Sequence, residues 1–118
     1  MQPAEHHGLR VKSAAEIRDV LQRLRSELEQ LYGERLRAVY LFGSYSRHEA
    51  DAESDMDVLI VLDDIKSYSD EIERTGHLAA ELSLDAEVSI SRTFVSAKDW
   101  AFNDSPFLTT VRREAIGI

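Results

Sequence analysis

The sequence has 118 residues, 43% of them hydrophobic, with 22 acidic residues against 14 basic residues and no cysteine. This length and composition suit one folded domain, and the lack of cysteine excludes disulfides, cysteine nucleophiles and thiolate metal sites. The longest apolar run, residues 58–62, is too short to cross a membrane, and residues 1–7 lack the pattern of a secretion signal, so we expect a soluble, cytoplasmic protein.

The net charge of −8 is concentrated in residues 49–73, which contain ten acids and one base. A concentrated acidic surface repels the phosphate backbone of nucleic acids and attracts divalent cations or a basic partner. We therefore expect no direct nucleic acid binding. The simplest alternative interpretation of this segment is a solvated acidic face.

We expect a flexible arm over residues 1–12, followed by a single domain over residues 13–118. Ser13 and Glu16 have the spacing of a capping box, and apolar residues then recur at helical spacing, which predicts a helix over 14–32. Gly33 stands where that helix is expected to end.

Two strands follow this helix. The run over 36–42 is rich in β-prone residues and is followed at once by Gly43 and Ser44, as is typical of a buried strand that ends in a tight turn. A nearly continuous apolar run after two aspartates predicts a second strand over 55–62.

The C-terminal half alternates helix and strand. Ser69 is a candidate cap for a helix over 70–83, and alternating polarity predicts a third strand over 87–95. Ser96 and Ser105 are expected to cap a short helix and a last helix over 106–115. The order predicts an α/β (α+β) domain, with a mixed sheet of three or slightly more strands and helices mainly on one face.

Asp55 and Asp57 are the strongest candidates for chemistry. Alternation along a strand places both carboxylates on the same side, and the apolar run after them anchors that strand in the core. Two carboxylates held close together repel each other, and a cation relieves that repulsion. Mg²⁺ prefers oxygen ligands and commonly binds one or two carboxylates together with substrate phosphates.

Gly43 and Ser44 are the second candidate feature. Glycine lets the backbone come close to a ligand, and the following amides with the Ser44 hydroxyl can donate to phosphate oxygens. A Gly-Ser pair after a strand is often only a turn. Together with Asp55 and Asp57 on the next strand, however, it can hold a nucleoside triphosphate between donor groups and metal ions.

These residues resemble the signature of the minimal nucleotidyltransferases, which belong to the DNA polymerase β-like nucleotidyltransferase superfamily. The matching segments are Gly43-Ser44-Tyr45-Ser46-Arg47 and Ser54-Asp55-Met56-Asp57, followed by Val58-Leu59-Ile60-Val61. The family has a second glycine where this chain has His48. If that position requires a positive φ, the loop must differ locally.

The resemblance implies a role for each matching residue. Gly43 and Ser44 would bind the β- and γ-phosphates of ATP, and Asp55 and Asp57 would ligate two Mg²⁺ ions. Arg47 would either contact phosphate or steady the loop by pairing with an acid such as Asp51 or Glu53.

The family's metal site is completed by a third carboxylate on the following strand, for which Asp85 and Glu87 are the candidates. We favour Glu87 as this third catalytic and metal-binding residue, because it alternates with Ser89 and Ser91 along the predicted strand. Asp85 is expected in the turn before that strand.

The length of the chain limits where the hydroxyl group that accepts the nucleotide can come from. About 23 residues follow the third predicted strand, too few for an acceptor-binding domain, so we expect a partner protein to bring the acceptor hydroxyl. The resemblance is to antitoxin-type members, which pair with a HEPN-domain ribonuclease toxin and transfer AMP to a tyrosine on it. The alternative is an antitoxin that neutralises its toxin by binding alone, with a weak or inactive metal site.

Overall fold

The computed structural model describes residues 11–118, so most of the predicted arm over 1–12 lies outside the described residues. The elements follow one another in the order α1 Ala14–Tyr32, a 3₁₀ turn Gly33–Arg35, β1 Leu36–Phe42, β2 Met56–Leu62, α2 Tyr68–Ala86, β3 Ile90–Ser96, α3 Ala97–Phe102, α4 Pro106–Glu114 and β4 Ile116–Gly117.

The first helix is confirmed at both ends. The Ser13 hydroxyl accepts a hydrogen bond from the Glu16 N–H at 3.1 Å, and the Glu16 carboxylate accepts one from the Ser13 N–H at 2.8 Å. Gly33 ends the helix with φ 57°, a conformation that glycine adopts without steric cost. The capping box therefore functions as the sequence predicts.

The strands form one mixed four-stranded sheet in the order β3-β2-β1-β4. β1 pairs antiparallel with both β2 and β4, whereas β2 pairs parallel with β3. Strand β4 is not predicted from the sequence because it has only two residues, too few for a readable alternation. It pairs with Tyr40 and Leu41 of β1 and brings the end of α4 close to the end of β1.

The long helices α1 and α2 cover one face of the sheet, where Leu24 and Leu28 are fully buried in the same core as Val58 and Ile60. The short helices α3 and α4 lie on the opposite face, where Leu108 and Val111 pack in a second core with Leu59 and Val61. Strand β2 is therefore buried on both faces, which explains its nearly continuous apolar sequence.

The boundaries of α2 and β3 differ from the sequence prediction. Helix α2 is capped by Ser67, whose hydroxyl accepts from the Asp70 N–H, so Ser69 lies inside the first turn. At its other end α2 continues to Ala86, because residues 84–86 contain no glycine or proline to stop it. Strand β3 accordingly begins at Ile90 rather than at residue 87.

Both long helices carry 19 residues, but charged side chains recur along each of them. Within residues 11–118, no helix is long and apolar enough to span a membrane.

A buried carboxylate joins α1 to α2. Glu71 is 4% exposed, and it accepts hydrogen bonds from the Tyr32 hydroxyl at 2.7 Å and from the Arg35 guanidinium at 3.0 Å. Burial by itself raises the pKa of Glu71, but these hydrogen bonds and the nearby arginine charges outweigh burial and leave the pKa below its ordinary value of 4.5. The network therefore stabilises the fold while Glu71 is ionised.

We expect Tyr32→Phe to lower the free energy of unfolding at pH 7 by about 1.5 kcal/mol, because the buried carboxylate loses one hydrogen-bond donor. The loss should shrink as pH falls below 4.5 through the lowered folded-state pKa, where Glu71 becomes protonated in both states. Urea unfolding at pH 7 and pH 3 measures both values. Tyr40→Phe is the matched control, because within residues 11–118 the Tyr40 hydroxyl makes no hydrogen bond. Equal losses for the two variants would contradict this account.

Candidate functional site

The turn after β1 offers hydrogen-bond donors to a ligand. The Gly43 carbonyl accepts from the Ser46 and Arg47 N–H groups at 3.1 and 3.3 Å, and the Ser44 carbonyl accepts from the Glu49 N–H at 2.9 Å. Across the part of the chain that the structure describes, neither the N–H nor the hydroxyl of Ser44 donates to a protein acceptor. These two groups therefore remain available for an anion.

Gly43 lies directly against Asp57. Its φ is +77°, and a Cβ added at this position would overlap the Asp57 Oδ2 atom and lie 3.0 Å from Asp57 Cγ. The register of the sheet explains the approach, because Phe42 is the Cα partner of Asp57 across β1 and β2. The structure thus brings the Gly43–Ser44 turn and the carboxylate at the start of β2 into one site, and only glycine fits at position 43.

The two aspartates lie close enough to affect each other. Asp57 is half-buried on β2, whereas Asp55 is exposed and immediately precedes that strand. Burial raises the pKa of Asp57 above its usual range, and the negative charges of Asp55 and Glu114 raise it further, while the Arg47 charge opposes them. Asp57 is therefore an unfavourably placed charge that a cation would stabilise.

The expected third carboxylate does not lie on the third strand. β3 contains no acidic residue, and the residue that pairs with Asp57 across β2 and β3 is Ser91. Asp85 lies in the last turn of α2 instead of the predicted turn, and its carboxylate pairs with Arg23 at 3.0 Å. Glu87 ends α2 in the left-handed conformation, with φ 55° and ψ 45°, so its predicted place on the strand is wrong. Its role as a ligand stays a prediction.

The available ligands still fit Mg²⁺. Within residues 11–118, no group of three or more His, Asp or Glu side chains is arranged to hold a metal ion. Asp55 and Asp57 nevertheless supply the one or two carboxylates that Mg²⁺ takes when substrate phosphates and water fill its other positions. The site is thus chemically suited to a magnesium ion that arrives with a nucleotide.

Arg47 pairs with different acids from those predicted. Its guanidinium contacts Glu49 at 2.9 Å and Glu114 at 3.0 Å, rather than Asp51 or Glu53. Asp51 is engaged locally, because its carboxylate accepts from the Glu53 N–H at 2.9 Å. Sequence reasoning missed Glu114 as part of this site, although it lies three residues after the buried Val111 on α4, a spacing that points to the sheet.

His48 takes the conformation that the motif's second glycine would allow. Its φ is 60°, so the loop keeps a left-handed residue at this position without glycine. A non-glycine residue in that region costs about 1 kcal/mol, which makes His48 a locally strained residue. His48 therefore adopts the positive φ itself, so a positive φ at this position does not require a different loop.

An apolar pocket of about 630 Å³ lies beside the same turn but away from the aspartates. Its lining includes Ile17, Leu21, Tyr45 and His48 together with residues of β4. Neither Ser44 nor Asp55 nor Asp57 lines it, so this pocket is separate from the carboxylate site.

We expect Asp57→Asn to raise the free energy of unfolding at pH 7, because the raised pKa of Asp57 means that its charged form is disfavoured in the folded state. This gain is present above the folded-state pKa and disappears as pH falls through it, where the carboxyl group becomes neutral. Urea unfolding at pH 7 and pH 3.5 measures the difference, with the exposed Glu53→Gln as control. A destabilised Asp57→Asn variant at pH 7 would show that the charge is already satisfied in the folded protein.

Comparison with known proteins identifies the family and the fold. The family model "Nucleotidyltransferase domain" matches residues 21–101. The chain is 33% identical over 81 residues to the protein adenylyltransferase MntA of Thermococcus cleftensis, covering 69% of this chain and 80% of the relative. Two solved structures have the same fold. A toxin–antitoxin with AMP-PNP is 22% identical, with TM-score 0.51 and coverage of 87% and 69%. A mutant of the MntA–HpeT toxin–antitoxin is 19% identical, with TM-score 0.51 and coverage of 85% of this chain and 69% of that chain.

With its Gly43–Ser44 turn against Asp57 and a family match over most of its length, the chain belongs to the nucleotidyltransferase-domain family and is a nucleotidyltransferase.

Proposed function

We propose that this chain transfers AMP from ATP to a hydroxyl group on a partner toxin and thereby acts as an antitoxin. The observation that carries the proposal is the contact between the Gly43 backbone and the Asp57 carboxylate, because it joins a phosphate-binding turn to a metal-binding pair. Neither feature alone is specific, whereas their contact is what a metal–triphosphate complex requires.

The turn would bind the triphosphate. The N–H and hydroxyl of Ser44, which have no protein acceptor within residues 11–118, are the donors that would meet the β- and γ-phosphates, and Gly43 leaves room for them. Asp55 and Asp57 would hold two Mg²⁺ ions, with Glu87 as a third ligand if its side chain reaches the pair. When bound, Mg²⁺ supplies the positive charge that offsets the triphosphate and the developing charge on the leaving group.

The reaction is an in-line displacement. The acceptor oxygen forms a bond to the α-phosphorus, the bond from that phosphorus to the oxygen bridging to the β-phosphate breaks, and pyrophosphate leaves. The acceptor proton passes to a carboxylate, the role assigned to Glu87. What the chain itself contributes is the fixed placement of Ser44 relative to Asp57.

A partner protein would provide the acceptor. Residues 11–118 form one sheet with its covering helices and include no separate lobe for an acceptor. The relatives named as a protein adenylyltransferase and as toxin–antitoxin complexes support a toxin as that partner. We propose a tyrosine of a HEPN-type ribonuclease toxin as the acceptor.

A second function has an observation in its favour. The site lacks an acidic residue on β3, and no three metal-ligating side chains are grouped within the described residues. An antitoxin that neutralises its toxin by binding alone, with a weak metal site, would tolerate this arrangement.

The test is transfer of label from α-labelled ATP in the presence of Mg²⁺ and an extract of the host. We expect the natural sequence to label one protein of the extract, and Asp55→Ala/Asp57→Ala to label none. The double variant Glu53→Ala/Glu73→Ala is the matched control, because it removes two exposed acids outside the site. It should label the same protein as strongly as the natural sequence.

The same assay separates the two functions. If no protein is labelled, and the natural sequence and Asp55→Ala/Asp57→Ala co-purify with the same toxin, the proposed transfer activity is wrong. The binding-only function is then correct. A Glu87→Gln variant that binds nucleotide but transfers at least a hundredfold more slowly would support Glu87 as the third carboxylate. Transfer at the natural rate would exclude Glu87 from that role.

A further inference from the structure

Glu114 is a carboxylate on the inward side of α4. It is the last residue of that helix, three residues after Val111, which is buried in the core against Leu59 and Val61. Its side chain is only 15% exposed. A carboxylate at such a position is retained only with strong partners, because burying a lone negative charge is costly.

Among the described residues, the partners of Glu114 all belong to the turn after β1. The Gly43 N–H donates to Glu114 Oε1 at 2.8 Å, and the Nη1 atom of Arg47 donates to both carboxylate oxygens, at 3.1 and 3.0 Å. Charge-assisted hydrogen bonds of this kind are roughly twice as strong as neutral ones. One side chain thus fixes both ends of the Gly43–Arg47 segment from a helix about 70 residues further along the chain.

This engagement changes which groups remain for the nucleotide. The Gly43 N–H and the Arg47 guanidinium are two donors that a triphosphate would otherwise attract, yet both contact Glu114. Glu49 contacts the same guanidinium from the exposed side. Within residues 11–118, the donors of the turn that have no protein acceptor include the N–H and hydroxyl of Ser44.

We propose that Glu114 is a positioning residue for nucleotide binding, which holds the turn so that Ser44 presents its donors beside Asp57, and that Arg47 acts through Glu114 and not on the triphosphate. The inference rests on the proposed function, since it concerns how that site binds its nucleotide. It assigns a role to a residue outside both sequence motifs.

Removing Glu114 is expected to have two opposite effects on triphosphate binding, and the larger effect decides whether binding becomes stronger or weaker. Loss of a negative charge and release of Arg47 would strengthen triphosphate binding, whereas loss of the contacts to Gly43 and Arg47 would loosen the turn. Because Glu49 also pairs with the Arg47 guanidinium at 2.9 Å, that charge stays partly neutralised when Glu114 is removed, and the gain in triphosphate attraction is small. The loosening should therefore dominate.

The experiment measures two properties of the full chain. Calorimetry gives the Kd of AMP-PNP with Mg²⁺, and amide hydrogen exchange without nucleotide gives the opening of residues 43–49. We expect Glu114→Ala to weaken binding at least tenfold and to speed exchange of the Ser46, Arg47 and Glu49 amides at least tenfold. In the transfer assay, the KM for ATP should rise similarly while kcat changes less than threefold.

Three further variants sharpen the comparison. Glu114→Gln keeps an acceptor for the Gly43 N–H but loses the ion pair, so about a threefold effect is expected. Glu49→Ala removes an acid from the same guanidinium without affecting Gly43, and should change both measurements by less than twofold. Arg47→Ala/Glu114→Ala should bind AMP-PNP no more than twofold worse than the weaker single variant, because both side chains act through one contact.

Equal or tighter AMP-PNP binding by Glu114→Ala would overturn the inference, as would a loss with Arg47→Ala that Glu114→Ala does not share, since Arg47 would then contact the triphosphate directly. If Glu114→Ala fails to fold, Glu114→Gln decides by the same two measurements. A natural sequence that binds no AMP-PNP would overturn the proposed function instead. In that case, unchanged amide exchange in the Glu114 variants would separately overturn the positioning role.

Discussion

The close approach of the Gly43 backbone to the Asp57 carboxylate is the constraint on which the rest of the site depends. It follows from the antiparallel pairing of β1 with β2, which makes Phe42 the partner of Asp57 and leaves the next residue no room for a side chain. The donors of Ser44 follow directly in the chain after the residue that contacts Asp57. The proposed phosphate binding and metal binding would therefore share one backbone geometry, and a change at position 43 would disturb both.

This arrangement carries a cost in stability that the surrounding structure offsets. Asp57 is half-buried near Asp55 and Glu114, and the combined effect raises its pKa. The strand that bears it is buried on both faces, so the site is held by cores on either side of the sheet. Unfavourable charges gathered on a rigid element are typical of sites that stabilise a charged ligand. A bound metal ion would make the electrostatic environment of the Asp57 charge favourable.

Local patterns in the sequence predict most of the fold and single out Gly43 and Asp57, which the structure brings into contact. The capping box at Ser13, the strands around Gly43 and the Asp55–Asp57 alternation are all readable within a few residues. The features that were missed depend on distant contacts or on backbone conformation. Glu114 meets Gly43 across 71 positions of the chain, β4 exists only through its pairing with β1, and the left-handed Glu87 moves a predicted strand residue to the end of a helix.

The most direct test of the account is a crystal structure of the chain with AMP-PNP and Mn²⁺, whose anomalous signal locates the metal in place of Mg²⁺. The account predicts metal density at the carboxylates of Asp55 and Asp57 and phosphate density against the N–H and hydroxyl of Ser44. Nucleotide in the apolar pocket beside His48, or metal bound without both aspartates, would contradict it.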